Sequence, residues 1–320
     1  MAAGREQVTL AQFADLPEKD RGYIPTAVTS GPEGSLWVAE SIDQDSGENA
    51  VVEIATSGKD EGRFYYGGLT SQGADFRGIA AGSDGALWIT DDYNDQILRM
   101  TTRGAYTGSR LNGTEPLGIV AGPDKALWFT ALNGSGSEIG RITTGFKTTY
   151  YPATGGALDI TVGPDKALWF TEYYGNGIGR ITTDGKVTEF TKGISRGAYP
   201  DSIAAGPDGA LWFTEYYGER IGRITTSGKV TEYSRGTLSG EHPLGIVAGP
   251  DGAMWFTGTR NYGSFRYTTA RLGRITMSGD IVQFDKDLTQ SSNPTAIVQG
   301  PDRKLWFVES EADQMGRASL

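Results

Sequence analysis

Two carboxylates, Asp201 and Glu215, stand fourteen residues apart on either side of a Gly-Pro-Asp-Gly turn. On two antiparallel strands joined by that turn, the spacing predicts that they face each other. Two carboxylates so close cannot both ionise cheaply, so one takes a raised pKa, and the pair can share a proton or hold a cation. The other reading is that both point into water or pair with a loop cation. The same spacing joins Thr26 to Glu40, Arg77 to Asp91, Leu117 to Ala131, Leu158 to Glu172, Leu244 to Gly258 and Thr295 to Glu309. Asp201, Glu215, Glu309, Arg77 and Asp91 are therefore candidate catalytic residues, with Arg77 and Asp91 read as an ion pair. Thr26, Leu117, Leu158, Leu244 and Thr295 are candidate ligand contacts, and Asp201, Glu215 and Glu309 are the residues available to a metal. Glu40, Glu172, Glu215 and Glu309 recur, which marks their spacing as partly structural.

His242 is the only histidine, and cysteine is absent. Disulfides, thiolate metal sites, cysteine nucleophiles and any two-histidine site within one chain are thereby excluded. His242 lies two residues before Leu244. It is a sixth catalytic candidate if it reaches the pocket, and a loop histidine in solvent if it does not.

The elements that position these residues come from an internal repeat. The segments GPEGSLWVAE, GSDGALWITD, GPDKALWFTA, GPDKALWFTE, GPDGALWFTE, GPDGAMWFTG and GPDRKLWFVE contain all seven tryptophans: Trp37, Trp88, Trp128, Trp169, Trp212, Trp255 and Trp306. Each repeat reads as four strands, A to D. Strand A carries Pro-x-Gly-Ile, as in Pro243 to Ile246, and strand B carries the tryptophan. Strand C is the Ile-Gly-Arg-Ile-Thr run, and strand D follows an Asp-Gly or Ser-Gly turn that supplies the positive φ of a tight hairpin. Seven such meanders predict one all-β domain over residues 1–320, a seven-bladed β-propeller. The last repeat ends after strand C, and Gln7 to Phe13 reads as the missing strand D, so the N-terminal strand should complete blade seven and close the ring.

Residues that recur in most blades serve the fold first. Arg99, Arg141, Arg180, Arg223, Arg274 and Arg317 of strand C read as structural partners of a neighbouring blade, and the turn residues Asp208 and Asp251 as turn formers. The start of strand A and the end of strand B emerge on one face, where a concave, partly apolar mouth suits a medium-sized organic ligand. Two long B-to-C loops open on that face, Ser41 to Ala50 and Thr259 to Ala270. The second carries Arg260, Tyr262, Phe265, Arg266 and Tyr267, candidate ligand contacts on a lid, unless it is a solvated loop. Tyr173, Tyr174, Tyr216 and Tyr217 add an aromatic rim or pack between blades.

A net charge of −10 and a pI near 4.8 oppose binding to phosphate backbones. No segment approaches the roughly 20 apolar residues of a membrane span, and the first residues hold no signal-peptide apolar run. The expectation is a cytoplasmic monomer whose partner is a small molecule, neither nucleic acid nor membrane.

The repeat GPDGALWFTE…IGRITTSGKVTEY resembles the virginiamycin B lyase, or streptogramin lyase, family over all seven blades. That resemblance implies Mg²⁺, a general base and an acid on the central face, and elimination that opens a cyclic depsipeptide. It also implies Pro-His motifs in strand A of the last two blades and a glutamate ending strand B of the last. Those places hold Leu244, Thr295 and Glu309, so only the glutamate matches. Losing one general acid or base costs about 10²- to 10⁴-fold. The favoured expectation is thus an enzyme of lyase-like ancestry diverged to a natural-product cyclisation, elimination or rearrangement. The alternatives are the ancestral C–O lyase and a non-catalytic binding propeller.

Overall fold

The computed structural model describes residues 8–15, 23–42, 49–56, 62–67, 74–134, 136–234, 238–261, 268–286, 288–289 and 291–320. They form seven four-stranded antiparallel sheets, the blades of a β-propeller. Among the described residues the only helical turns are 3₁₀ turns at Pro32–Gly34 and Ser310–Ala312, and no helix is long and apolar enough to cross a membrane. Blade one runs from the axis outward through Tyr23–Ser30, Ser35–Ile42, Asn49–Ala55 and Gly62–Gly67. Blade seven is built from both ends of the chain. Pro294–Gln299, Leu305–Glu309 and Gln314–Ser319 are joined by Thr9–Asp15, which pairs antiparallel from Thr9↔Ser319 to Asp15↔Gln314. This outer strand lies later than the expected Gln7 to Phe13, and Gln7 falls outside the described residues.

In blades two to six the repeat motif ties the A-to-B turn to strands B and C of the same blade. In blade five the A-to-B turn places Asp208 so that Oδ1 accepts from Trp212 Nε1 at 3.1 Å and Oδ2 accepts from Arg223 Nε at 2.6 Å. The Arg223 guanidinium lies 5.9 Å from the Trp212 ring centroid, and Tyr233 of strand D stacks on that ring at 5.5 Å. A Cβ on Gly206 would lie 2.5 Å from the indole, so the turn must begin with glycine. The same carboxylate links tryptophan and arginine through Asp84, Asp124, Asp165 and Asp251. These arginines therefore pair within their own blade, not with a neighbour as the sequence suggested. Between 15 and 23 residues separate each turn aspartate from its arginine, and the B–C hairpin folds strand C back beside the turn of its own blade. All seven tryptophans are fully buried, in apolar clusters that join consecutive blades; Trp169 of blade four, for example, shares one with Ile203, Leu211 and Phe213 of blade five.

Consecutive inner strands are tied by hydroxyl groups. In every blade the A–B ladder shifts register just after the proline position, as between Pro200↔Glu215 and Ile203↔Phe213. This β-bulge breaks the backbone pairing, and the strand B threonine fills the gap. Thr130, Thr171, Thr214 and Thr257 each accept an N–H from strand A of their own blade at 3.0 Å. Together with Thr90, they donate to a strand A carbonyl of the next blade at 2.5–2.8 Å. Ser310 does the equivalent from blade seven to Pro25 O at 3.0 Å, and Ser41 links blade one to Phe76 N at 2.7 Å.

Thr171→Val keeps the shape and deletes the hydroxyl that joins Asp159 N to Asp201 O. It is expected to lower unfolding free energy by about 1–3 kcal/mol in urea titration, the cost of orphaned buried polar groups. A loss below about 0.5 kcal/mol would show that the bridges are incidental.

Candidate functional site

The bulge decides what faces the axis. Because the proline position, and not the residue after it, pairs with the end of strand B, the following residue is turned into a central cavity of about 890 Å³. Thr26, Arg77, Leu117, Leu158, Asp201, Leu244 and Thr295, one from each blade, all line it. Deeper in, Val28, Ile79, Ile119, Ile203, Ile246 and Ile297 make an apolar wall.

The same register overturns the facing pairs expected from spacing. Glu40, Asp91, Glu172, Glu215 and Glu309 are 0–1% exposed, sit in strand B opposite Pro25, Phe76, Ala157, Pro200 and Pro294, and do not line the cavity. Asp201 and Glu215 are thus not a pair. Glu215 lies beside Glu232 of its own strand D, with Arg220 Nη1 at 3.9 Å. Asp91 is not the partner of Arg77 either. It caps its own B-to-C turn by accepting from Asn94 Nδ2 and Gln96 Nε2, while Arg77 pairs with Asp92 at 2.7 Å and Asp75 at 3.0 Å. Glu309 accepts from Ser292 Oγ and Gln314 Nε2, both at 2.8 Å. A spacing of fourteen measures distance along the chain, and an extra residue in strand A reverses which side chains meet.

Asp201 meets a different carboxyl group, Asp159 of blade four. Asp159 Oδ1 accepts from Ile160 N at 2.8 Å, and its Oδ2 accepts from Ser202 Oγ at 2.8 Å and Ile203 N at 2.9 Å. Burial raises its pKa above the ordinary carboxylate value, against those hydrogen bonds. Asp201 lacks such help: burial, and then the charge of Asp159, pushes it up to about 7. Sequence reasoning missed Asp159 and Ser202, although a signal existed. In Pro-x-Gly-Ile the third position is glycine or alanine in the other five blades and becomes Asp159 and Ser202 in adjacent blades four and five. Glycine suits the position because a Cβ on Gly118 would lie 2.9 Å from the Leu158 carbonyl of the next blade.

An aromatic arc stands above this acid pair. Tyr173 meets Tyr174 and Tyr199, and Tyr199 meets Tyr217, each at 5.1 Å between centroids; Tyr216 lies 4.7 Å from both Tyr217 and His242. Tyr199 has a φ of 53°, a strained conformation for a residue with a Cβ. Asn176 Oδ1 holds it by accepting from Ala198 N at 2.7 Å and Tyr199 N at 3.3 Å. Burial, with neighbouring charge behind it, raises the pKa of Tyr173 and Tyr216, so both stay neutral hydroxyls. His242 is not in the cavity lining; its ring stacks on Tyr216 and its Nδ1 lies 3.0 Å from Tyr216 O. Strand extensions reaching Ile42, Asn49, Asn261 and Thr268 take up the stems of both long loops. Arg260 is on such a stem, while Tyr262, Phe265, Arg266 and Tyr267 lie outside the described residues.

The donor set does not fit Mg²⁺. Glu309 turns away from the cavity into hydrogen bonds from Ser292 and Gln314, Glu215 is buried outside it, and Asp159 is committed to three donors. Among the described residues no three of His, Cys, Asp and Glu converge as a metal would require.

Fold and site together define a seven-bladed propeller with a small-molecule-sized cup on its axis. The sequence model of the virginiamycin B lyase family matches residues 11–234. The chain is 31% identical to virginiamycin B lyase from Staphylococcus aureus over 98% of its own length and 100% of that chain, with a TM-score of 0.82; that structure is a catalytically inactive histidine-to-alanine variant with quinupristin. A streptogramin B lyase structure matches at 31% identity over 98% of each chain, with a TM-score of 0.80. This chain belongs to the virginiamycin B lyase family. A protein from Lactobacillus plantarum, 14% identical over 83% of this chain and 85% of its own with a TM-score of 0.61, shares the fold alone. No curated protein sequence matches.

The buried acids make stability depend on pH. Burial is the main cause that pushes Glu40, Glu172 and Glu215 from 4.5 up to about 8. Each is protonated in the fold and ionised in the unfolded chain between those values, so stability is full below about pH 4.5 and falls as pH rises through about 8. Thermal unfolding is expected to show Tm falling from pH 5 to 8.5, with a shallower fall in a Glu40→Gln, Glu172→Gln, Glu215→Gln triple variant. An equally steep fall in that variant would assign the dependence to other groups.

Proposed function

We propose that this protein is an acid–base enzyme acting on a medium-sized organic molecule, with Asp201 as the group that transfers the proton. One observation carries the reading: a carboxyl group that lines the cup accepts no hydrogen bond from the described residues, and burial pushes its pKa up to about 7. A general acid or base works best when its pKa lies near the working pH. Asp159 is the positioning residue, since its charge keeps Asp201 from ionising early. The neutral hydroxyls of Tyr173 and Tyr216 supply donors for an oxygen that gains charge, and Leu117, Leu158 and Leu244 exclude water.

The reaction class is elimination, cyclisation or rearrangement, in which proton transfer and a shaped pocket carry the chemistry. Family membership supports elimination as the ancestral step. The replacement of both Pro-His positions by Leu244 and Thr295 speaks against the ancestral ring opening, and the histidine-to-alanine relative that is inactive points the same way. His242 has its Nδ1 engaged and lies beside the cup, not in its lining.

Two measurements test this. Quinupristin incubated with the protein and Mg²⁺ is expected to stay intact by mass spectrometry; clean linearisation that is lost in His242→Ala would restore the ancestral lyase. A metabolite extract from host cells lacking the protein is expected to yield a product with wild type that falls about 10²- to 10⁴-fold with Asp201→Asn. Its rate should have a limb near pH 7 that moves lower in Asp159→Asn. An unchanged rate in Asp201→Asn would overturn the assignment, and retention of a metabolite without conversion would make the cup a binding site.

A further inference from the structure

The charge inventory of the cup is one-sided. Of the described residues that line it, Asp92, Glu115, Asp159 and Asp201 are acids, and Arg77 is the one base. Arg77 is already matched by Asp92 at 2.7 Å and Asp75 at 3.0 Å, so it offers an anion no uncompensated charge. Asp201 accepts no hydrogen bond from the described residues. The rings nearest to it are tyrosines: Tyr173 and Tyr216 both feel its charge. They belong to a continuous arc in which Tyr174 and Tyr217 are 76% and 57% exposed. All four tyrosines line the cavity; His242 stacks on one face of Tyr216 and leaves the other to the arc and the cup. A ring face and a carboxylate attract the same thing, a positive charge. A low-dielectric cup in a protein of net charge −10 concentrates that attraction.

We propose that the ligand of this cup is an organic cation, a molecule bearing a protonated or quaternary amine that seats against Asp201 between Tyr173 and Tyr216. The inference rests on the acid–base reading of the same site and names its substrate class. The apolar wall of Val28, Ile79, Ile119, Ile203, Ile246 and Ile297 receives the uncharged remainder of the molecule. An anionic ligand would face four carboxyl groups with one compensated arginine. A neutral ligand would leave the Asp201 carboxyl without a charged partner.

The test is equilibrium binding, independent of turnover. Benzyltrimethylammonium, benzylamine, benzyl alcohol and benzoate are titrated into the full chain by ligand-observed NMR. The two cations are expected to bind about tenfold more tightly than the alcohol, the scale of one cation–π contact with a carboxylate behind it, and benzoate not to bind. Asp201→Asn is expected to remove most of that preference, and Tyr216→Leu to weaken the cations more than the alcohol. The quaternary probe does not titrate, so its affinity should rise with pH through about 7 as Asp201 ionises. The groups that face Asp201 are Asp159 of blade four and Tyr173 and Tyr216 of the arc. Of these, Asp159 alone can shift the midpoint below pH 8, and it does so downward in Asp159→Asn.

Equal affinity for cation and alcohol, or tighter binding of benzoate, overturns the cation proposal. If that happens while Asp201→Asn still abolishes turnover, the acid–base enzyme stands and only its substrate class falls. Cation preference that depends on Asp201, without turnover of any metabolite, upholds the proposal and removes the catalytic reading.

Discussion

The structure turns on a threonine hydroxyl at the end of the Trp-Phe-Thr run. Inner strands of adjacent blades belong to separate sheets and share no ladder. The bulge after the proline position breaks the A–B pairing within each blade, and in blades three to six the hydroxyl repairs that break while reaching the next blade. Thr171 illustrates both halves of the bond, accepting from Asp159 N and donating to Asp201 O. One side chain therefore bridges the backbones that carry the two carboxyl groups of the cup, Asp159 and Asp201. Hydrophobic clusters between blades supply most of the cohesion, but they are non-directional, and the hydroxyls fix the register that apolar packing leaves free.

Near-identical blades leave only deviations to build a site. The Asp-Trp-Arg linkage recurs through Asp84, Asp124, Asp165, Asp208 and Asp251 and keeps each A–B–C unit rigid. Against that frame, blades four and five depart together. Asp159 and Ser202 replace small residues, Asp201 stands where the other blades carry leucine, threonine or, in blade two, Arg77, and Tyr199 adopts a left-handed backbone that carries its ring into the arc. Polarity and aromatic surface converge on one sector of the ring.

The strand B acids show the opposite outcome. A glutamate at the end of strand B looks like a site residue because its chain position is at the mouth. In the fold Glu40, Glu172 and Glu215 are enclosed between strands, where burial dominates their ionisation. The family's glutamate position, Glu309, is held there by Ser292 and Gln314. A raised pKa is thus shared by residues inside the cup and outside it; access to the cavity separates Asp201 from the others.

The repeat, the four-strand blade, the number of blades, the strand borrowed from the N-terminal region and the ring of seven residues at the cup were all legible in the sequence. Each depends on local signals: turn glycines, tryptophan spacing and the count of motifs. What meets what at the mouth was not legible. Spacing put Asp201 with Glu215 and Arg77 with Asp91, whereas the tertiary structure put Asp201 with Asp159 and Arg77 with Asp92. The reason is the bulge: one added residue in a strand rotates every following side chain to the other face, and a pairing between blades has no fixed separation along the chain. Local chemistry determined which residues reach the axis, and only the closed ring decided which of them are neighbours.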